Sequence, residues 1–162
     1  MILENLTNYP DKEVKKLVKF AFRGHNTDRV AVLVKYCTRK NSLFQARVYF
    51  HIPKTQFEFA KGTTAIFGIK VSLPLIEKYP ISPYQHYIKQ LLCIITNWQE
   101  CLVLNAAHEI RHLWQLRNYY TEKKFSEVDA INYSVKILNK YRKSHGEMVE
   151  SGQSHLTANE ES

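Results

Sequence analysis

The chain has 162 residues, of which 44% are hydrophobic and 23% charged, and its formal net charge at pH 7 is +8. This length and composition are typical of one globular domain with a sizeable core. No apolar run approaches the roughly 20 residues that span a bilayer, and the N-terminus lacks the regions of a signal peptide. We therefore expect neither a membrane partner nor secretion.

The cysteines support the same expectation about the compartment. There are three of them, Cys37, Cys93 and Cys101, and they have no paired spacing. An odd number argues against a disulfide framework and favours a reducing cytoplasm. We interpret them as small buried hydrophobic residues.

The positive charge is unevenly divided along the chain. Residues 143–162 contain one Lys and four Glu, a net charge of −3, so residues 1–142 carry +11. The cations are scattered except for one cluster, Lys12, Lys15, Lys16 and Lys19. A basic body attracts polyanions, so nucleic acid is a candidate partner, and solvated helix faces are the alternative explanation.

The N-terminal part predicts one helix followed by strands. Pro10 and Asp11 are typical of a helix start, and an apolar stripe follows at helical spacing: Val14, Leu17, Val18 and Ala21. Residues 29–37 and 44–51 are rich in β-branched and aromatic residues and predict a hairpin. Residues 65–73 predict a further strand, in which Gly68 indicates a bulge.

The C-terminal part predicts two helices joined by a polar turn at residues 121–124. Asn97 and Glu100 form a capping signal for a helix that reaches about residue 119. Ser126 caps a second helix, over about 126–142, with an apolar stripe of Phe125, Val128, Ile131, Val135 and Leu138. The order predicts an α+β domain over 1–142, followed by a disordered polar tail over 143–162.

The first of these helices carries the sequence His108-Glu109-Ile110-Arg111-His112, an H-E-x-x-H pattern. On a helix the two histidines lie on one face, where they can bind one zinc ion with Glu109 beside them as general base. The apolar residues 102–107 before the pattern indicate burial, and buried imidazoles need polar partners. Bound Zn²⁺ would supply them.

A catalytic zinc site needs a third protein ligand and one open position. Gln115 and Asn118 stand where a metzincin has Gly and His, which excludes that class. The first turn of the following helix offers Glu127 and Asp129. In an antiparallel helix hairpin this turn approaches His112, and the small residues Ala130 and Ser134 would allow close packing.

H-E-x-x-H followed by the E-x-x-A of Glu127 to Ala130 resembles the gluzincin zinc metallopeptidases, including the ImmA/IrrE type, over residues 98–135. The resemblance implies a zincin-like fold with a small, mostly antiparallel sheet. It implies Zn²⁺ held by His108, His112 and Glu127. Glu109 would then activate the zinc-bound water to hydrolyse peptide bonds in a protein or peptide substrate. A rim strand, 65–72, would pair with that substrate.

The chain departs from this family at one position. Gluzincins often place an Asp, Glu or Asn four residues after the ligand Glu to orient a histidine, and here that residue is Ile131. Asp129 or Asn132 would have to serve instead. The donor that stabilises the oxyanion also stays open among four candidates: Arg111, Tyr119, Tyr120 and Tyr133.

The SprT-like metallopeptidases take a third ligand from a downstream His-Gly pair, which in this chain would be His145-Gly146. Together with the positive charge, this gives an alternative function. In it the chain is a basic nucleic-acid-associated protein with a SprT-like or vestigial zincin core.

Overall fold

A computed structural model describes residues 1–37, 46–53, 55–75, 79–82, 93–118 and 126–145. Their main elements, in chain order, are β1 (Ile2–Asn5), α1 (Asp11–Ala21), β2 (Val30–Tyr36), β3 (Arg47–Tyr49), β4 (Phe67–Leu73), α2 (Trp98–Asn118) and α3 (Glu127–Ser144). A 3₁₀ turn, Glu58–Ala60, lies between β3 and β4. The α+β class is confirmed, although the chain begins with a strand that the sequence did not predict.

The four strands form one mixed sheet in the order β1-β2-β4-β3. β2 pairs in parallel with both β1 and β4, and β3 pairs antiparallel with β4. The expectation of a mostly antiparallel sheet is therefore wrong, and so is the predicted hairpin of residues 29–37 with 44–51. The reason lies in β2, whose first five residues are all buried, as in an inner strand of a parallel sheet.

Helix α1 forms where the sequence predicts it. Pro10 precedes the first turn, and Val14, Leu17, Val18 and Ala21 are all buried. These side chains join the main core, which fills the space between the sheet and the three helices. The amphipathic stripe of α1 is thus confirmed residue by residue.

The opposite face of the sheet carries a smaller apolar cluster around Phe57. Gly68 lies directly under this ring, and a Cβ there would stand 3.0 Å from Phe57 Cζ. Gly68 also pairs in regular register with Ala31 and Tyr49. The predicted bulge at Gly68 is therefore wrong, and the glycine instead makes room for an aromatic ring.

Helices α2 and α3 form an antiparallel hairpin, as predicted. Near one end Gln115 contacts Ser126, and near the other Arg142 pairs with Glu100. The Glu100 N–H donates to Asn97 Oδ1 at 2.9 Å, and the Asp129 N–H donates to Ser126 Oγ at 3.1 Å, so both predicted caps are confirmed.

The apolar stripe of α3 is confirmed at Ile131 and Leu138, but Val128 is exposed. Small side chains lie where the two helices meet, since Ala130 and Ser134 are fully buried. Helix α3 continues to Ser144, two residues beyond the predicted end. Phe125 and most of the predicted tail, residues 146–162, lie outside the described residues.

The other sequence expectations have simple outcomes. Cys37, Cys93 and Cys101 are buried, as expected. Ahead of α2, Ile95 forms a single antiparallel bridge with Ile81. Within the described part of the chain, no helix is both long enough and apolar enough to cross a lipid bilayer.

Candidate metal centre

The two histidines of the H-E-x-x-H pattern lie side by side on α2. Their Nε2 atoms are 2.9 Å apart, and the rings meet nearly edge to face. The side chain of His112 is almost completely buried, whereas His108 keeps 15% of its side-chain surface exposed. Four residues make slightly more than one helical turn, so both rings leave the same face of α2.

Glu127, in the first turn of α3, completes the group across the helix hairpin. Its Oε2 is 3.3 Å from His108 Nε2, and its Oε1 is 3.3 Å from His112 Nε2. The Glu127 side chain is 56% exposed. The cluster therefore has a buried side on α2 and a side that opens to solvent.

These three donors match the requirements of a small divalent ion. All three ligand atoms lie within 4.8 Å of one another. Donors about 2.0–2.1 Å from one tetrahedral ion are separated from each other by roughly 3.3 Å. The two histidine–carboxylate distances equal that separation, and the histidine–histidine distance is slightly shorter. Zinc, with its preference for His and carboxylate ligands in tetrahedral geometry, fits this set.

Gln115 fixes the orientation of His112. Its amide nitrogen donates to Asp129 Oδ2 at 2.7 Å and to the Ser126 carbonyl at 3.1 Å, which directs its oxygen toward His112. That oxygen lies 3.0 Å from His112 Nδ1, so the ring donates from Nδ1 and keeps a lone pair on Nε2.

This tautomer has a consequence for the contact with Glu127. The lone pair of His112 Nε2 and the carboxylate of Glu127 then face each other, and two acceptors at such a distance repel. A cation between them removes the repulsion, so the donor set itself favours an ion.

Asp129 does not join the donor set but supports it. Its carboxylate accepts two hydrogen bonds from Arg111, at 2.7 and 3.1 Å, in addition to the one from Gln115. The hydrogen bond from Arg111 lowers the pKa of Asp129 against the effect of burial, so this carboxylate stays charged. The sequence left Glu127 and Asp129 as alternative ligands, and the structure brings Glu127 to the histidines.

His145, the ligand suggested by the SprT-like pattern, lies just beyond the last residue of α3. Eighteen residues of helix separate it from Glu127, which corresponds to about 27 Å along the axis. Its ring packs against Tyr141 and Phe20. His145 is therefore at the opposite end of the helix from the candidate metal centre.

Glu109 is buried next to the group. Burial raises the pKa of its carboxyl to about 8, and the charge of Glu127 contributes in the same direction. Burial also lowers the pKa of His108, with a further contribution from His112 and an opposing one from Glu127. His108 is consequently neutral at pH 7, the state in which an imidazole binds metal.

Two of the candidates for oxyanion stabilisation have other partners. Arg111 is held by Asp129 and lies over the Trp114 ring at 3.9 Å. The Tyr133 hydroxyl is 2.8 Å from His25 Nε2. The other two, Tyr119 and Tyr120, lie outside the described residues.

The expected rim strand is wrong. Residues 67–73 form β4, which is enclosed between β2 and β3, so the backbone of Gly68, Ile69 and Lys70 is already paired on both sides. The edge strands are β1 and β3, and β3 is the edge that lies beside α2. The prediction failed because the family resemblance gave no information about strand order.

Sequence reasoning used Gln115 only to exclude the metzincins and missed its contact with His112. The available signal was its position three residues after His112, on the same helix face. Comparison with known proteins adds nothing further, because neither a family model, nor a curated protein, nor a solved structure matches the chain. The resemblance to gluzincins therefore rests on the motif residues alone.

Proposed function

We propose that this protein is a zinc-dependent metallopeptidase that hydrolyses peptide bonds. The observation that carries the proposal is the convergence of His108, His112 and Glu127 at tetrahedral donor separations, with the buried Glu109 beside them. Three protein ligands with a solvent-open side are typical of catalytic zinc sites, whereas structural sites use four.

A zinc ion bound there would act as a Lewis acid and lower the pKa of a water molecule toward about 7. Glu109 is the proton acceptor in this proposal. Its pKa of about 8 without a cation nearby indicates a carboxyl that readily holds a proton, and a nearby positive charge would favour its ionised form. It takes the proton as the scissile carbonyl is attacked and delivers it to the leaving amine.

The remaining residues position these groups. Gln115 and Asp129 hold His112 in the tautomer that presents Nε2, and Arg111 keeps Asp129 charged. Ala130 and Ser134 let α3 approach α2 closely enough for Glu127 to reach the histidines. We also propose that an extended substrate pairs with the edge of β3, the edge strand beside α2.

An odd number of cysteines without paired spacing fits a protein that works in a reducing compartment such as the cytoplasm. A vestigial zincin core, which keeps the fold but has lost catalysis, is the competing interpretation. The burial of Glu109 favours catalysis, because a buried carboxyl is costly and Glu109, unlike Glu100, forms none of the salt bridges found among the described residues.

The decisive experiment is metal analysis of the purified protein together with His108→Ala and Glu127→Ala. We expect one zinc per wild-type chain and loss of stoichiometric zinc in both variants. His51→Ala and Glu58→Ala, which alter exposed residues outside the cluster, are the matched controls and should retain the metal. Wild-type protein without stoichiometric zinc would refute the proposal.

A second measurement concerns catalysis, with a library of quenched fluorogenic peptides as substrate. The wild type should cleave a subset of the library, and chelation followed by zinc addition should abolish and restore the cleavage. A protein that holds zinc but cleaves nothing would instead support the vestigial core.

A further inference from the structure

One face of α1 presents a continuous row of cations. Lys12, Lys15, Lys16 and Lys19 follow one another at i, i+3, i+4 and i+7, and Arg23 continues the row just beyond the helix. All five side chains are exposed. From Lys12 to Lys19 the row extends about 10 Å along the axis, the length over which one nucleic-acid strand presents about three phosphates.

The acidic residues of the same helix point elsewhere. Glu13 accepts a hydrogen bond from Gln99 at 3.2 Å, and Asp11 accepts one from Asn5 at 2.8 Å. Among the salt bridges formed by the described residues, none includes any of the five cations. Within the described part of the chain these charges therefore repel one another without compensation by an ion pair, which favours a polyanionic ligand.

The row borders a groove of about 420 Å³ between α1 and the C-terminal end of α3. Phe20, Tyr141 and His145 contribute aromatic rings to it, and Phe20 remains partly exposed. The Arg23 guanidinium lies 5.2 Å from the centre of the Phe20 ring. A positive groove with an accessible aromatic ring is the combination that binds single-stranded nucleic acid, because phosphates and bases are recognised separately.

We propose that this α1–α3 groove binds single-stranded nucleic acid, with the five cations on the phosphates and Phe20 as a stacking surface. A lipid surface fits less well, since none of the exposed large hydrophobic side chains in the described residues lines the groove. A duplex keeps its bases stacked within the double helix and would leave Phe20 unused. The groove and the metal centre lie at opposite ends of α3, so binding does not require the proposed peptidase activity.

The test measures fluorescence anisotropy of a labelled 20-nucleotide single strand with the full chain, from low to moderate salt. Five phosphate contacts predict a slope of log K against log salt of about −3.5 for a single strand. Replacing Lys15, Lys16 and Lys19 by Gln should weaken binding at least about tenfold and reduce the slope to about −1.4.

The matched control replaces Lys61, Lys136 and Lys140 by Gln, which removes the same charge from exposed positions outside the groove. This variant should bind within about twofold of the wild type. Phe20→Leu, which keeps an apolar side chain, should cost roughly fivefold through lost stacking. The Glu109→Gln variant should bind the strand as the wild type does.

Three results would overturn the proposal. The first is equal weakening by both triple-lysine variants, because binding would then follow net charge alone. The second is binding of a duplex of the same sequence as tightly as the single strand. The third is the absence of binding at low salt, which would remove nucleic acid as the ligand of this groove.

Discussion

Helix α2 carries two buried carboxylates, Glu100 near its start and Glu109 beside the candidate metal centre, and their surroundings differ. At one end Glu100 is completely buried and receives hydrogen bonds from Arg142 at 2.6 and 2.7 Å. Although burial alone would raise the pKa of Glu100, the bonds from Arg142 and from the Thr96 N–H lower it. Beside the candidate metal centre, burial raises the pKa of Glu109 to about 8.

The difference is whether the protein itself supplies a cation to the carboxylate. At Glu100 the protein supplies its own cation, Arg142, and this ion pair joins α3 to α2. Beside the candidate metal centre two carboxylates and two histidines come together, and burial there disfavours the charged forms of Glu109 and His108 by raising the pKa of the first and lowering the pKa of the second. An external cation would stabilise such a cluster. The need for one distinguishes a candidate binding site from a core contact.

The largest effect is expected from Glu109→Gln, beside the candidate metal centre. Removing the proton acceptor should lower the rate of peptide hydrolysis by about 10³-fold or more, while zinc content and unfolding midpoint stay near wild-type values. The measurement is turnover of a fluorogenic peptide beside metal analysis. Unchanged turnover would exclude Glu109 as the base.

The variant Arg142→Met should lower the free energy of unfolding of the chain. The variant leaves the Glu100 carboxylate buried without its cation, which costs about 3–5 kcal/mol. Urea unfolding followed by circular dichroism measures the change. The double variant Arg142→Met, Glu100→Gln removes both charges and should recover much of the loss, whereas equal instability of both variants would contradict a pairing role.

An intermediate effect is expected from Gln115→Met, which keeps the size of the side chain but removes its polar atoms. Without the Gln115 oxygen, His112 loses the partner that sets its tautomer, so zinc affinity should fall about 10–100-fold. Competition with a chromophoric chelator measures the affinity. Asn118→Met, at an exposed position on the same helix, is the control and should leave the affinity unchanged.

The smallest effect concerns the contribution of Glu100 to the unfolding free energy at acidic pH. Because the pKa of Glu100 is lower in the folded chain than in the unfolded chain, its contribution is complete above about pH 4.5 and is lost as the pH falls through the folded value. Glu100→Gln should therefore flatten the fall of unfolding free energy below that pH. Parallel curves for the two proteins between pH 5 and 3 would show that Glu100 does not contribute.

The sequence predicted the local features because each depends on residues a few positions apart. The buried stripe of α1, the caps at Asn97 and Ser126, and the pairing of His108 with His112 all follow from helical spacing. The strand order depends on distant pairings, and the unpredicted β1 changes the neighbours of β2. The uninterrupted apolar run of β2 was nevertheless a signal for a parallel inner strand.

The choice between Glu127 and Asp129 could not be made from the sequence for a related reason. Both lie in the first turn of α3, and only the rotation of that helix against α2 decides which carboxylate meets the histidines. The same rotation brings Asp129 to Arg111 and Gln115. A two-residue spacing on a helix thus separates a candidate ligand from a supporting residue.

The small side chains between α2 and α3 have a consequence for ion size. Ala130 and Ser134 lie three and seven residues after Glu127 on the same buried face of α3, so their small size helps Glu127 to approach the two imidazoles. Glu100 and Arg142 hold α2 and α3 together away from the candidate metal centre. A bulkier residue in place of Ala130 or Ser134 would therefore change mainly the separation of the three donors. If the three donors bind an ion, the ionic radius that they accept would therefore depend in part on two side chains that are not ligands.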